Sequence, residues 1–207
     1  MTPPEETEPE ETNPPERALP WREALAVLVF LGSALGLVVV LSAGPPAGEV
    51  QRSALGEPPP PVAGVKTWLN LPPGEAPAWR GAERIEFGAL RGKVVVLEFW
   101  SAWCHQCRGA NLELNALHEE GRSDLQVIGV TMRDRYVEEP EILAHVRDQI
   151  RFPVALLGQG RAITSYQVRE IPHAVIVSRE GTLRWQGKGG TAAFREALAA
   201  ELGDAPQ

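Results

Sequence analysis

The sequence predicts an α/β domain, a mixed central sheet with helices on both faces, preceded by one transmembrane helix. Three observations support this. Residues 66–207 alternate strand-like and helix-like segments before a hairpin and a final helix. Fifteen of the 19 prolines fall in residues 1–77, and prolines avoid helix interiors and central strands. Residues 24–43 carry no charged side chain.

The first 43 residues predict a tail and a membrane span. Residues 1–22 are acidic and proline-rich, a composition typical of disordered segments. A helix as long as the uncharged run spans the ~30 Å hydrocarbon core of a bilayer. Trp21 and Arg22 at its start suit the headgroup region. We therefore expect a transmembrane helix at 23–43, in contact with the lipid bilayer through residues 24–43.

A cleavable signal peptide is the main alternative to an anchor. Such a peptide has a short basic leader, whereas this leader is long and acidic, which favours an uncleaved anchor. Arg17 and Arg22 precede the run and only Arg52 closely follows it, which favours a cytoplasmic N-terminus. The domain is then expected on the extracytoplasmic, periplasmic side of the cell membrane.

A linker at residues 44–65 is expected to join the span to the domain at 66–207. It is rich in Pro and Gly, and four consecutive prolines at 58–61 stiffen part of it. In the domain, apolar runs and helical periodicity predict regular elements in the following order. They are strand 94–100, helix 104–120, strand 125–131, helix 140–150, strand 153–157, helix 161–167, hairpin strands 173–178 and 182–187, and a last helix capped by Thr191.

Charge and cysteine content exclude several classes of function. The formal net charge of −7 is concentrated in the tail, so the domain has no basic surface typical of nucleic-acid binding. Cys104 and Cys107 are too few for a disulfide framework and for a four-ligand structural zinc site. A redox pair, a minor metal site or coincidence remains.

The segment VVVLEFWSAWCHQC places both cysteines where a buried strand passes into a helix. A thiolate attacks a disulfide, and a helix N-terminus stabilises that thiolate by at most ~2 kcal/mol. A protonated His105 is the candidate for further stabilisation. Cys107 lies one turn later, within disulfide reach. We expect Cys104 to be the exposed attacking thiol and Cys107 to be the shielded resolving thiol.

Glu98 interrupts the apolar strand before the cysteines. A buried carboxylate is costly, so burial raises the pKa of glutamate, in extreme cases to ~8–9. A carboxyl group that titrates near neutrality can exchange protons with Cys107. The alternative is a glutamate at a strand edge that reaches solvent.

The segment FWSAWCHQC resembles the active-site segment of thioredoxins, and residues 66–203 resemble the membrane-anchored TlpA/ResA-like branch of that superfamily. The entry strand of that branch is similar to the segment ALRGKVVVLEFWSAWC. Its cis-proline strand, its hairpin and the entry to its last helix are similar to the segment YQVREIPHAVIVSREGTLRWQGKGG. Residues 140–157 match its inserted helix–strand unit. The resemblance implies a thioredoxin fold with this insertion and a thiol–disulfide oxidoreductase activity.

The same resemblance implies roles for individual residues. Pro172 falls at the cis-proline, so the Ile171–Pro172 bond is expected to be cis and to pack beside Cys104. The backbone at Ile171 is expected to bind the substrate chain by strand-like pairing. Trp103 matches the tryptophan that shields the dithiol, and Glu98 matches the buried acid of thioredoxins.

Three features depart from the family pattern. Gln106 replaces the usual proline before the second cysteine, and Ala110 stands where an acid is frequent. The proline that commonly kinks the active-site helix is absent. We expect Gln106 and His105 to tune the redox potential.

These observations predict a membrane-anchored thiol–disulfide oxidoreductase that reduces or exchanges disulfides of extracytoplasmic proteins. Its expected partners are protein disulfide substrates and a membrane or extracytoplasmic thiol reductant, and no cofactor is expected. Family resemblance favours reduction, whereas a thiolate stabilised by His105 makes a more oxidising couple. The alternative is a copper or zinc carrier, or a redox sensor, that uses the same cysteines; a metal site would add His105 and His173.

Overall fold

The structure is a computed structural model that describes residues 52–71, 79 and 81–203. In this part of the chain the strands are β1 (Val62–Ala63), β2 (Val65–Leu69), β3 (Arg84–Ile85), β4 (Val94–Phe99), β5 (Leu125–Met132), β6 (Val154–Leu157), β7 (His173–Val177) and β8 (Leu183–Gly187). The helices are α1 (His105–Glu119), α2 (Glu139–Gln149), α3 (Arg161–Ser165) and α4 (Ala192–Leu202), with a 3-10 turn at Phe87–Leu90.

The main sheet has the strand order β2-β6-β5-β4-β7-β8. Strands β4, β5 and β6 are parallel, whereas β2, β7 and β8 each run antiparallel to a neighbour. Strands β1 and β3 form a separate pair. The mixed sheet predicted from the sequence is therefore confirmed, and β6 of the predicted insertion lies inside it.

Strand β4 occupies the centre of the sheet, and all six of its residues are buried. Its side chains alternate between two core clusters, because successive residues of a strand point to opposite faces. Val96 packs in one cluster with Leu114 of α1 and Phe194 of α4. Leu97 packs in the other with Ala162 of α3. Burying an aliphatic side chain stabilises the fold by about 1.5–3 kcal/mol. Helices that cover both faces of the sheet therefore stabilise it by burying the side chains on each face.

Helix α1 buries one stripe of side chains, at Cys107, Ala110, Asn111 and Leu114, with the spacing of an amphipathic helix. Cys104 is its N-cap residue, because the Cys104 sulfur accepts the backbone N–H of Cys107. A short loop at residues 100–104 joins the end of β4 to the first turn of α1.

The packed chain begins before the predicted domain boundary at residue 66. Ser53 is buried, its backbone N–H donates to the carbonyl of Ser165 (2.7 Å), and its hydroxyl donates to Gln186 (2.9 Å). The Tyr166 hydroxyl donates to the carbonyl of Pro60 (2.5 Å). Proline has no N–H group to satisfy, so this stretch can be buried once its carbonyls are paired. Ser53 and Pro60 therefore contact the domain, although both lie within the predicted linker 44–65.

The predicted tail at 1–22 and the predicted span at 23–43 lie outside the described residues. Within residues 52–71, 79 and 81–203, no helix combines the length and apolar character needed to cross a bilayer.

We expect Tyr166→Phe to destabilise the protein by about 1–2 kcal/mol, because the buried carbonyl of Pro60 loses its donor. Urea unfolding of the full-length chain measures this change. Tyr136→Phe is the matched control, because its side chain is 60% exposed. Equal unfolding midpoints for wild type and Tyr166→Phe would show that this bond does not hold the segment.

Candidate active site

The two cysteines form a disulfide at the N-terminus of α1, with their Cα atoms 5.3 Å apart. The loop that follows β4 delivers Cys104 to this position, and the Cys107 N–H lies 3.1 Å from the Cys104 sulfur. Free N–H groups at a helix N-terminus favour negative charge on a nearby atom. In the reduced protein this geometry favours a thiolate on Cys104.

Both cysteines are buried in the disulfide form, with 5% of Cys104 and 1% of Cys107 exposed. The carbonyl oxygen of Ile171 lies 3.8 Å from the Cys104 sulfur. The expectation of an exposed Cys104 is therefore wrong for this state, because the loop at Ile171 packs against its sulfur. The Ile171–Pro172 bond is cis, as the resemblance implied.

His173 lies on the face of the sheet opposite the dithiol. It pairs with Phe99 in the β4–β7 ladder, and the two rings are 6.0 Å apart. Burial lowers the pKa of His173. The structure therefore does not bring His173 to Cys104 and Cys107. Across the described parts of the chain, no group of three or more His, Cys, Asp or Glu side chains is arranged to hold a metal ion.

The two residues between the cysteines face solvent. His105 and Gln106 are both exposed in the first turn of α1. A charged His105 at this position would add to the positive end of the helix.

Glu98 is fully buried in β4, on the face that carries the dithiol. Neither carboxyl oxygen has a hydrogen-bond partner among the described residues. Burial, followed by the negative charge of Glu113, raises the pKa of Glu98 to about 8. The alternative of a solvent-reaching glutamate does not fit this position. At neutral pH the carboxyl group is mostly protonated.

Small residues lie next to Glu98 in the sheet and against its carboxyl group. Its partners in the neighbouring strands are Gly129 and Ala174. A Cβ atom on Gly189 would lie 2.6 and 2.9 Å from the two carboxyl oxygens, and one on Gly190 would lie 3.4 Å from Ala110. The chain after β8 therefore lies against both the carboxyl group and the α1 turn that follows Cys107. Sequence reasoning did not single out Gly189, whose only signal is its place in a Gly–Gly pair after a predicted strand.

Trp103 is held beside the dithiol by a residue that the sequence analysis missed. Its indole N–H donates to Asp134 (2.9 Å), and 49% of the side chain is exposed. The other Asp134 oxygen accepts the backbone N–H groups of Tyr136 (2.7 Å) and Val137 (3.2 Å). Its position in the sequence could have indicated it, because Asp134 follows β5. The carboxyl ends of parallel strands meet at one edge of a sheet, so a residue after β5 is expected near the residues that follow β4.

The site thus combines a disulfide at a helix N-terminus, a backbone carbonyl beside it and a protonated carboxyl group on the same face of the sheet. Such groups can cleave and form disulfides and can move one proton.

Known proteins share this fold and sequence pattern. The protein DipZ of Mycobacterium tuberculosis is 30% identical over 129 residues, which are 60% of this chain and 17% of DipZ. The thiol-disulfide oxidoreductase ResA of Bacillus thuringiensis is 24% identical over 108 residues, which are 52% of this chain and 61% of ResA. The chain therefore spans less than two thirds of either relative.

A solution structure of a thioredoxin-like protein in its oxidized form superposes with a TM-score of 0.58. It is 22% identical, and the match covers 72% of this chain and 99% of that one. This likeness establishes the thioredoxin-like fold. The AhpC/TSA family model matches residues 70–186, more than half of the sequence, and the chain therefore belongs to the AhpC/TSA family.

Proposed function

We propose that the protein is a membrane-anchored thiol–disulfide oxidoreductase that reduces or exchanges disulfides of extracytoplasmic proteins. The observation that carries the proposal is the Cys104–Cys107 disulfide at the N-terminus of α1. The similarity to ResA, which is named a thiol-disulfide oxidoreductase, supports the same chemistry. Protein disulfides are the proposed substrates.

The reaction balances over two steps. The Cys104 thiolate attacks a substrate disulfide, one substrate sulfur leaves as a thiolate, and a mixed disulfide forms. Cys107 then attacks the Cys104 sulfur and releases the second substrate thiol. The substrate gains two electrons, and Cys104 and Cys107 lose them as their disulfide forms. A membrane or extracytoplasmic thiol reductant returns the protein to the dithiol.

The different roles of Cys104 and Cys107 follow from their positions at the start of α1. The Cys104 sulfur receives the N–H at the tip of α1, whereas Cys107 lies inside the helix stripe. The Ile171 carbonyl beside the Cys104 sulfur can accept a backbone N–H of an extended substrate chain. Pro172 shapes that edge, and Trp103 borders it on the other side of the dithiol.

Glu98 supplies the proton exchange for the resolving step. Cys107 must lose its proton before it attacks, and ionised Glu98 accepts that proton. With a pKa of about 8, Glu98 can accept a proton above that pH and donate one below it. Glu98 can therefore accept the Cys107 proton when the Cys104–Cys107 disulfide forms, and it can return a proton to Cys107 when that disulfide is reduced.

His105 and Gln106 set the redox potential in this proposal. Both are exposed in the first turn of α1, directly after Cys104, where a charged or polar group changes thiolate stability. Each pKa unit of thiolate stabilisation corresponds to about 1.4 kcal/mol.

The membrane placement is supported by the uncharged run at 24–43 and by the arginines before it. We propose that the N-terminus is cytoplasmic and that the domain is extracytoplasmic, on the periplasmic side. The protein then acts where protein disulfides persist.

Mixed-disulfide trapping tests the proposed function. We expect Cys107→Ser to accumulate mixed disulfides with substrate proteins, exceeding Cys104→Ser by roughly tenfold or more, because the resolving thiol is absent. Non-reducing gels followed by mass spectrometry measure the adducts. The double serine variant is the control. Equal trapping by both single variants would reject Cys104 as the attacking thiol, and trapping by neither would reject the activity.

We expect Glu98→Gln to slow mixed-disulfide release by on the order of tenfold to a hundredfold, since the proton acceptor is lost. In wild type we expect the release rate to rise with pH, with a midpoint near 8 where half of Glu98 is ionised. Glu113→Gln is the matched control: it keeps Glu98 and removes the neighbouring charge, so the rise shifts to lower pH. Stopped-flow measurements from pH 6 to 9 follow the release. Identical pH profiles for wild type and Glu98→Gln would remove Glu98 from the mechanism.

The same substitution is expected to change the pH dependence of stability. The folded pKa of about 8 exceeds the ordinary 4.5, so wild type is most stable relative to Glu98→Gln below about pH 4.5. Between pH 4.5 and 8 wild type loses on the order of 1.4 kcal/mol per pH unit relative to the variant. Urea unfolding at several pH values measures the difference, and a constant difference would contradict a buried Glu98.

Reporter fusions test the membrane placement. Alkaline phosphatase fused after residue 207 is expected to be active, because this enzyme requires an oxidising extracytoplasmic compartment for its disulfides. A cytoplasmic reporter fused at the same residue serves as the control. An active cytoplasmic reporter with inactive phosphatase would reverse the orientation.

A further inference from the structure

A groove of about 420 Å³ lies beside the dithiol, between the loop before Cys104 and the inserted helix α2. It begins at Ala102 and Trp103, which directly precede Cys104. Residues that line it further along include Tyr136, Glu141, His145 and Asp148. Apart from Trp103, its lining residues have no role in the proposed mechanism.

Two exposed aromatic rings form one wall. Trp103 is 49% exposed and Tyr136 is 60% exposed, and their ring centroids are 5.3 Å apart in an edge-to-face arrangement. Asp134 fixes both, because it binds the Trp103 indole and the Tyr136 backbone. The Arg135 guanidinium already lies 4.8 Å from the Tyr136 ring centroid. Asp134 therefore holds the Trp103 ring and the Tyr136 backbone, and the Tyr136 ring packs against a cation in this structure.

The charge of the lining is negative. Glu141 and Asp148 line the groove, whereas no Lys or Arg appears among its described lining residues. Burial, followed by the charge of Arg108, lowers the pKa of His145, so its imidazole is neutral near pH 7. Asp148 is paired with Arg147 (2.7 Å) outside the lining, whereas the Glu141 carboxylate accepts the backbone N–H of Glu138 (3.2 Å). Glu141 is therefore the anion best placed for a bound cation.

We propose that the groove is a subsite for an Arg or Lys side chain of the substrate protein, close to the substrate cysteine that bonds to Cys104. The aliphatic stem would pack on Trp103 and Tyr136, and the charged end would meet Glu141. Long basic side chains suit a groove that is apolar along one wall and anionic at the other. The proposal rests on the proposed function, and it adds selection of basic segments around the substrate disulfide.

The location supports a substrate residue as the occupant. A substrate cysteine bonded to Cys104 would lie near one end of the groove, because Trp103, which lines the groove, directly precedes Cys104. Neighbouring residues of the same substrate chain therefore come within reach of the aromatic wall without a further binding event.

Chromogenic peptide disulfides test the subsite. Each peptide carries one cysteine linked to 5-thio-2-nitrobenzoate in a neutral Gly/Ser background, with Arg, norleucine or Gln placed at one of four positions on either side. For the reduced full-length protein we expect Arg at one position to raise kcat/KM roughly threefold to tenfold over Gln. Norleucine, which has the stem without the charge, is expected to give a smaller gain. The Arg preference should weaken in high salt.

Variants assign the preference to the groove. Glu141→Gln and Tyr136→Ala are each expected to bring the Arg-to-Gln ratio towards one. The glutamine of Glu141→Gln can still accept the Glu138 N–H, which retains the start of α2. Glu196→Gln removes the same charge from an exposed position on α4 and is expected to leave the ratio unchanged. Equal rates for all three peptides at every position would overturn the proposal, as would a preference that survives both groove variants.

A binding measurement separates this proposal from the proposed activity. Peptides with serine in place of cysteine cannot exchange disulfides, so NMR shifts of the Trp103 and Tyr136 rings report binding alone. Arg-dependent shifts that Glu141→Gln abolishes would support the subsite even if no peptide disulfide is reduced. Absence of such shifts at every Arg position would overturn it.

Discussion

Burial of one carboxyl group under the dithiol helix is the constraint on which the rest of the site depends. Strand β4 must be apolar on both faces because helices cover the sheet on both sides, yet Glu98 stands in its middle. An ionised carboxylate there costs several kcal/mol, so the group keeps its proton instead. Space for it comes from Gly189, where a Cβ atom would lie 2.6 and 2.9 Å from its two oxygens.

The same strand aligns the remaining groups. Because β4 runs directly into the loop before α1, it sets Cys104 at the N-terminus of that helix. Because β4 pairs with β7, the cis bond at Ile171–Pro172 falls beside the sulfur. Strand β4 therefore positions all three groups that we propose as nucleophile, substrate-binding edge and proton acceptor.

Local patterns were sufficient to predict the mixed sheet, the helix entry at the cysteines and an acid inside an apolar strand. Contacts between distant segments were not predictable in this way. Ser53 and Pro60 are held by Ser165 and Tyr166, more than a hundred residues later, and a proline-rich composition alone indicates a linker. The side on which His173 lies depends on its register with Phe99, which the order of residues does not specify. The burial of Cys104 likewise depends on where the Ile171 loop packs.

A titration of the Glu98 side chain tests the central claim most directly. Carbon-13 labelling of glutamate, with Glu98→Gln to assign the signal, allows NMR to follow the carboxyl carbon in the oxidised full-length protein. The account predicts a midpoint near pH 8, since the group is fully buried without a hydrogen-bond partner among the described residues. A midpoint near the ordinary value of 4.5 would contradict it and would leave the resolving thiol without a buried proton acceptor.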